Sequence, residues 1–214
     1  MFKAFADFCS LAAVDKMIND VKSNFSEIDI LFNNAAEFVH KRELTKDGYE
    51  RQFQVNYLAH FLLTEKLSPL MKELAGARIL NVSSMIHSTS IDFDNLQGEK
   101  EYSGNSAYAL TKLLNILHAN NLADRFKDNN VIVHSLHPGV IETKLLNAAW
   151  SGGAPVSEGA ANLIYTATTE AIENMSGLYI ENRRPMQSNP ISYDKDVQEK
   201  LRALSMDLIK DYLS

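Results

Sequence analysis

The sequence predicts an α/β domain with a parallel sheet covered by helices on both faces. Three observations carry that prediction. Short apolar runs alternate along the chain with longer segments of helical period. The runs "IDILF", "ARILNVSS" and "VIVHSLHPG" begin apolar almost throughout, with little of the alternation that marks a half-solvated strand. The chain has 214 residues, 45% of them apolar and 22% charged, which suits one globular domain spanning 1–214.

Taken in order, "FKAFADF" predicts a first strand. Ser10 can cap a helix over "LAAVDKMINDVKSNF", where Leu11, Val14, Met17, Ile18, Val21 and Phe25 keep helical spacing. "IDILF" predicts a second strand, running into "NNAAEF". Thr45 to Leu74 holds a long helical pattern, interrupted near Pro69. "ARILNVSS" predicts a third strand, followed by a polar loop from Met85 to about Asn105. "SAYALTKLLNILHANNLADRF" predicts a helix with Leu110, Leu113, Leu114 and Leu117 on its apolar face. "VIVHSLHPG" is a fourth strand, ended by Pro138-Gly139. Ser157 can cap a helix from Glu158 to about Ile172, "GLYI" is a short fifth strand, and Asp194 to Leu213 is helical and charged. The loops at 85–104 and 140–156 follow strand ends. They therefore belong at the carboxyl edge of the sheet, where open α/β sheets bind ligands.

A net charge of −6, with no lysine-arginine run, argues against non-specific binding to nucleic acid or to anionic membrane. No apolar stretch is long enough to span a bilayer, and Met1 to Ser10 lacks a signal-peptide pattern. The single Cys9 forms no internal disulfide and suits a reducing, cytoplasmic compartment. It reads as a small buried hydrophobe. His134 and His137 sit at a strand end and belong to no zinc-spaced cluster.

The sharpest chemical feature is "YALTK". Tyr108 and Lys112 stand at i and i+4 and share a helical face. A phenol of pKa about 10 is too weak an acid for proton transfer near neutrality. An ammonium held close favours the phenolate and makes the group a usable acid or base. By spacing alone, the pair is equally an ordinary amphipathic surface pair. Upstream, "ILNVSS" ends in Ser83 and Ser84, whose hydroxyls suit either a turn or a reacting oxygen. Asn56 lies inside a helical segment that asparagine does not favour.

The ordered set "NNAA", "VNYLAHF", "RILNVSS", "YALTK" and "HPGVIETKL" resembles the short-chain dehydrogenase/reductase family. "VSSMIH", "NLQGEKEYS", "SGLYIEN" and "KLRALS" are similar to its retinol-dehydrogenase-like branch, from about Phe5 to the C-terminus. The resemblance implies a Rossmann-like doubly wound sheet. It also implies NAD(P)-dependent hydride transfer between a carbonyl and an alcohol, on a small lipophilic substrate. Carried over residue by residue, Tyr108 is the general acid/base. Lys112 lowers its pKa and binds the nicotinamide ribose, Ser84 orients the substrate oxygen, and Asn56 supports a water-linked relay to Lys112. Asn34, Ala35 and Ala36 approach the cofactor, with Ala36 where the family commonly has glycine. Asp7 matches an acidic residue near the adenine, and Pro138, Gly139 and Thr143 flank the nicotinamide.

One departure stands out. The chain has no glycine before Gly48. The resemblance therefore implies an N-terminally truncated sheet, without the first two family strands and the glycine-rich pyrophosphate turn. The missing strands belong between "KAFAD" and "DILF", a gap of roughly 14 Å at about 4.8 Å per strand. Two arrangements follow: the chain is a truncated product of a longer enzyme, or Lys3–Asp7 pairs directly with Asp29–Phe32. Either way NAD or NADP binding should be weak or absent. The competing expectation is a non-catalytic remnant that dimerises or binds a partner through the helices at Asn56–Leu67 and Tyr108–Leu122.

Overall fold

The computed structural model describes residues 2–71 and 76–213. Ser10 caps α1 (Leu11–Asn24), its hydroxyl accepting from the Ala13 N–H at 3.3 Å. Leu11, Val14 and Ile18 form the buried stripe of this helix. The strands are β1 (Ile30–Asn33), β2 (Arg78–Val82), β3 (Ile132–His137), β4 (Leu178–Glu181) and β5 (Arg184–Met186). They form one sheet in the order β1-β2-β3-β4-β5. The first three pairings are parallel and the last is antiparallel. The sheet is therefore mixed where an all-parallel one was expected. Asn182 and Arg183 both take positive φ, 50° and 61°, in the two-residue turn that joins β4 to β5. Arginine at such a position is an uncommon hairpin signal, which is why the sequence did not announce it.

Side-chain alternation assigns the two faces. Ile79 and Val133 pack against Ala119 and Leu122 of α4 (Gly104–Arg125). Leu80, Val82, Leu136 and Ile180 pack on the other face against Leu163 and Ala167 of α6 (Val156–Thr168). Arg78 extends along that face and donates to the Thr166 and Thr169 carbonyls at the end of α6. A doubly covered α/β sheet is thus observed.

The long helical pattern begins later than expected. Gly48 at φ +84° and the bond from Thr45 N–H to the Tyr49 carbonyl make 45–49 a turn. Glu50 is the true cap, its carboxylate accepting from Gln52 and Phe53 N–H at 3.0 and 2.6 Å. From there α2 (Arg51–Phe53), a π turn (Gln54–Leu58) and α3 (Ala59–Leu67) form one continuous rod. Pro69 sits in the 3₁₀ turn that ends it. The stretch expected to reach Leu74 passes outside the described residues there. Ser157 is not a cap: Pro155 holds the N-cap position of α6, and the helix ends at Thr168, with a separate 3₁₀ turn at Glu170–Ile172. At the C-terminus, α7 (Lys195–Leu208) lies across α4, and Tyr57 and Ser205 hydroxyls meet at 2.7 Å.

The expectation of a first strand is corrected. Residues 3–7 form no strand and do not pair with β1. Gln54 Nε2 donates to the Phe8 carbonyl, Asp47 accepts from Leu11 N–H, and the Phe8 ring meets His60 edge-on. These bonds hold the N-terminal segment on the α3 rod rather than on the sheet. Strand β1 is consequently an edge, with Ile30 and Phe32 each 37% exposed. The helices named for a dimer surface also pack largely within this chain. Thr111 to Ala123 of α4 and Ala59 to Thr64 of α3 are buried within this chain, with Leu201 of α7 in the same cluster.

Among the described residues no helix is long and apolar enough to cross a membrane. Gly104 sets the entry of α4, because a Cβ there would stand 2.3 Å from the Val39 carbonyl oxygen. Gly104→Ala is expected to lower stability by about 1–3 kcal/mol, a backbone clash that side-chain repacking cannot relieve. Urea denaturation checks this.

Candidate functional site

The carboxyl ends of β1, β2 and β3 open into one cavity of about 650 Å³. Its walls include Asn34, Ala35, Ala36, Ser84, Tyr108, Lys112, Pro138, Gly139 and Thr143. Nine of the sequence-selected residues therefore converge on one space, at the sheet edge where they were expected. Asp7 does not. It is exposed, accepts from Cys9 N–H at 3.0 Å and stands 3.8 Å from Lys46, away from the cavity lining.

Asn56 lies behind the wall, in the middle of the π turn. Its Oδ1 accepts from Glu37 N–H at 2.8 Å, and its Nδ2 donates to the Glu37 carbonyl at 3.0 Å and to Thr111 Oγ1 at 3.3 Å. One amide thus clamps the chain leaving β1 to helix α4. Its backbone carbonyl accepts from His60 Nδ1 at 3.1 Å. These contacts make Asn56 a positioning residue for both neighbours of the cavity.

Helix α4 is fastened to the exit of β2 by three bonds. Lys112 Nζ and Asn115 Nδ2 each donate to the Val82 carbonyl at 3.1 Å. Ser83 Oγ donates to the Lys112 carbonyl at 2.7 Å, which gives the first serine a structural task and leaves the second for the cavity. Ser84 Oγ accepts from Ile86 N–H at 3.1 Å and lines the cavity beside Tyr108, whose pKa it acts to lower, and the Lys112 ammonium lies 5.3 Å from the Tyr108 ring centre. Phenol, serine and ammonium are therefore juxtaposed on one wall. His87 supports Ser84 from behind. Its Nδ1 donates to the Ser84 carbonyl at 2.8 Å, and its Nε2 accepts from Asn189 N–H at 3.2 Å.

Burial governs the electrostatics. Tyr108 is 7% exposed and Lys112 2%. Burial pushes the phenol up to about 12, against a lowering contribution from Ser84. It pulls Lys112 down from 10.5 to about 8. The expected lowering of the phenol by the ammonium is not among the causes of its shift, which desolvation sets upward, and both groups rest protonated near neutral pH.

Among the cavity residues not selected from the sequence, two stand out. His137 looked like a strand end, and its Nδ1 is buried with no hydrogen-bond partner. Trp150 lies in a loop without a diagnostic pattern, yet its ring packs 5.7 Å from that of Tyr108. The only signals available were the unusual "HPG" and the chain's single tryptophan.

Comparison with known proteins accords with this geometry. The sequence profile described as short chain dehydrogenase matches residues 1–152. The chain belongs to the short-chain dehydrogenase family. Human retinol dehydrogenase 14 is 35% identical over 93% of this chain and 64% of its own length. Mouse retinol dehydrogenase 13 is 35% identical over 95% of this chain and 66% of its own. The chain thus spans a little under two thirds of the length of these relatives, and its likeness is to the retinol-dehydrogenase-like members. A crystal structure of an uncharacterized Mycobacterium paratuberculosis protein superposes with a TM-score of 0.79 at 28% identity, over 96% of this chain and 74% of that one. The Brucella melitensis 3-ketoacyl-(acyl-carrier-protein) reductase complexed with NADH shares the fold, with a TM-score of 0.63 at 23% identity over 83% of this chain and 76% of that one.

The lowered Lys112 carries a stability consequence. Between pH 8 and 10.5 the unfolded chain binds more protons at this site than the native one, so stability rises with pH across that window. The cost of the buried charge is fully present below pH 8. Lys112→Met is expected to raise stability at pH 7 by up to about 3 kcal/mol, a gain that shrinks toward pH 10. Urea midpoints of both proteins at the two pH values check the sign.

Proposed function

We propose that the cavity is the substrate and nicotinamide half of an NAD(P)-dependent oxidoreductase that interconverts a carbonyl and an alcohol, with Tyr108 as general acid/base. The observation that carries this reading is the junction of the Tyr108 phenol, the Ser84 hydroxyl and the Lys112 ammonium at the carboxyl edge of the sheet. Family membership supports the reaction class.

The chain's residues divide the work. Ser84 and Tyr108, which line the same cavity, would hold the reacting oxygen between them. With its pKa near 12, the phenol keeps its proton at neutral pH and can deliver it to an oxygen that gains charge as the carbonyl is reduced. A nicotinamide would supply the hydride when bound. Lys112 uses one N–H on the Val82 carbonyl, which leaves ammonium donors for a ribose and a positive field for the phenolate formed as the proton leaves. Asn56 holds the β1 exit and α4 at their spacing. The apolar side chains of Met85, Ile86, Val140, Leu145 and Leu146 in the lining suit a lipophilic substrate.

The lining fits the nicotinamide-ribose half of the cofactor. It contains no glycine-rich turn at a helix N-terminus for the pyrophosphate, and Asp7 lies away from it. We therefore hold that this chain alone binds NAD(P) weakly.

Three measurements test the proposal. Tyr108→Phe should reduce aldehyde reduction at saturating NADPH by about 100-fold or more while leaving the fold intact; full activity in that variant removes Tyr108 from the role. Reduction by the unaltered protein should fall as pH rises through about 8, where Lys112 loses its proton. Titration of NADPH followed by its fluorescence should show no saturation in the micromolar range, and micromolar binding would contradict the half-site reading.

A further inference from the structure

The loop after β3 is built rather than slack. Ile141 and Ala154 form a parallel bridge, with Glu142 N–H donating to the Ala154 carbonyl at 2.9 Å and Ala154 N–H to that of Val140 at 2.8 Å. Gly153 belongs to this stem, because a Cβ there would stand 2.7 Å from the Glu142 nitrogen. Above the stem, Thr143 caps the short helix α5 (Lys144–Ala149), and Trp150 closes it with its N–H on the Leu146 carbonyl at 2.7 Å. The indole is then held from a second direction. The Phe38 ring, buried behind the cavity wall, lies 5.4 Å from it and 6.1 Å from Tyr108. His40 lies 5.0 Å from Phe38, and its Nε2 meets the Ala148 carbonyl at 3.0 Å. Because a carbonyl only accepts, Nε2 carries the hydrogen there.

We propose that Trp150 is the specificity-determining residue of the cavity. Its indole, seated beside the Tyr108 ring, forms the wall against which the apolar body of a carbonyl or alcohol substrate packs, next to the reacting oxygen. Phe38 and His40 are positioning residues that act through it. The inference rests on the reading of Tyr108 as the proton donor, and it adds a residue that selects by size. A small alcohol satisfied by Ser84 and Tyr108 gains nothing from the indole. A bulky apolar one buries its surface there.

Trp150 is the chain's single tryptophan, so its emission reports on this wall alone. The probes are 4-cyclohexylbutan-1-ol and propan-1-ol, neither of which absorbs where tryptophan does. In the purified chain the bulky alcohol is expected to shift Trp150 emission saturably to shorter wavelength, and propan-1-ol to leave it unchanged. By calorimetry, Trp150→Ala should weaken the bulky alcohol about tenfold, whereas Trp150→Phe should keep its affinity within about threefold. His40→Ala should move the emission of the free protein to longer wavelength and weaken the same alcohol, without changing the helical circular dichroism. An unshifted emission, no saturable binding, or equal affinity in Trp150→Ala overturns the proposal. Because alcohol binding is read without turnover, Tyr108→Phe measured in parallel separates the two claims. Full turnover in that variant removes the acid reading alone, and lost discrimination in Trp150 variants concerns the wall alone.

Discussion

The structure depends on how helix α4 is fixed to the exit of β2. A single carbonyl, that of Val82, accepts from both Lys112 and Asn115, and Ser83 returns a bond to the Lys112 carbonyl. Backbone groups at the end of a parallel strand have no further ladder partner and must find one elsewhere. Here helix side chains satisfy them. The same bonds bring Tyr108, one turn earlier on α4, to the second serine of the strand exit. Helix position and site geometry are therefore one constraint, and loosening the first dissolves the second.

Around this junction the molecule places polar side chains where an apolar helix would ordinarily suffice. Asn115, His118, Asn120 and Asn121 are all buried in α4. Asn120 donates to the Ser192 carbonyl, and Asn81 of β2 reaches both the Asn115 carbonyl and the Asn33 amide of β1. Such bonds are directional, so they fix rotation and register that packing alone leaves soft. The π turn does similar work on the opposite side. Its extra backbone length carries Asn56 into a clamp on Glu37, and the Glu37 carboxylate is itself held by Arg51 at 2.7 and 3.0 Å.

Desolvation explains why the unassisted site rests in its protonated state. A phenol and an ammonium share a dry wall, and burial disfavours the charged form of both: it raises the phenol, which keeps its proton, and lowers the amine, which still holds its own near neutral pH. A proton-donating rest state suits the reductive direction. The cavity around these groups is bounded by chain segments from both sides of the sheet edge. One is the exit of β1 through Phe38 and His40, the other the loop over Trp150, so its shape is a joint property of segments far apart in sequence.

By itself the sequence determined the sheet-and-helix alternation, the Ser10 cap, the interruption at Pro69 and the set of residues at strand ends, Ser84, Pro138, Gly139 and Thr143 among them. These are local properties: periodicity, capping chemistry and the fixed geometry of proline act within a few residues. Tertiary structure decided what depends on distant partners. Residues 3–7 carry strand-like composition, yet Gln54 and Asp47 hold that end of the chain on the helical rod. The i, i+4 spacing of Tyr108 and Lys112 predicted a shared face, whereas the sign of the phenol's shift followed from burial that no spacing reveals. Trp150 and His137 entered the cavity only because β3 and its loop deliver them there, since which side chains share a space is set by the packing of strands and loops.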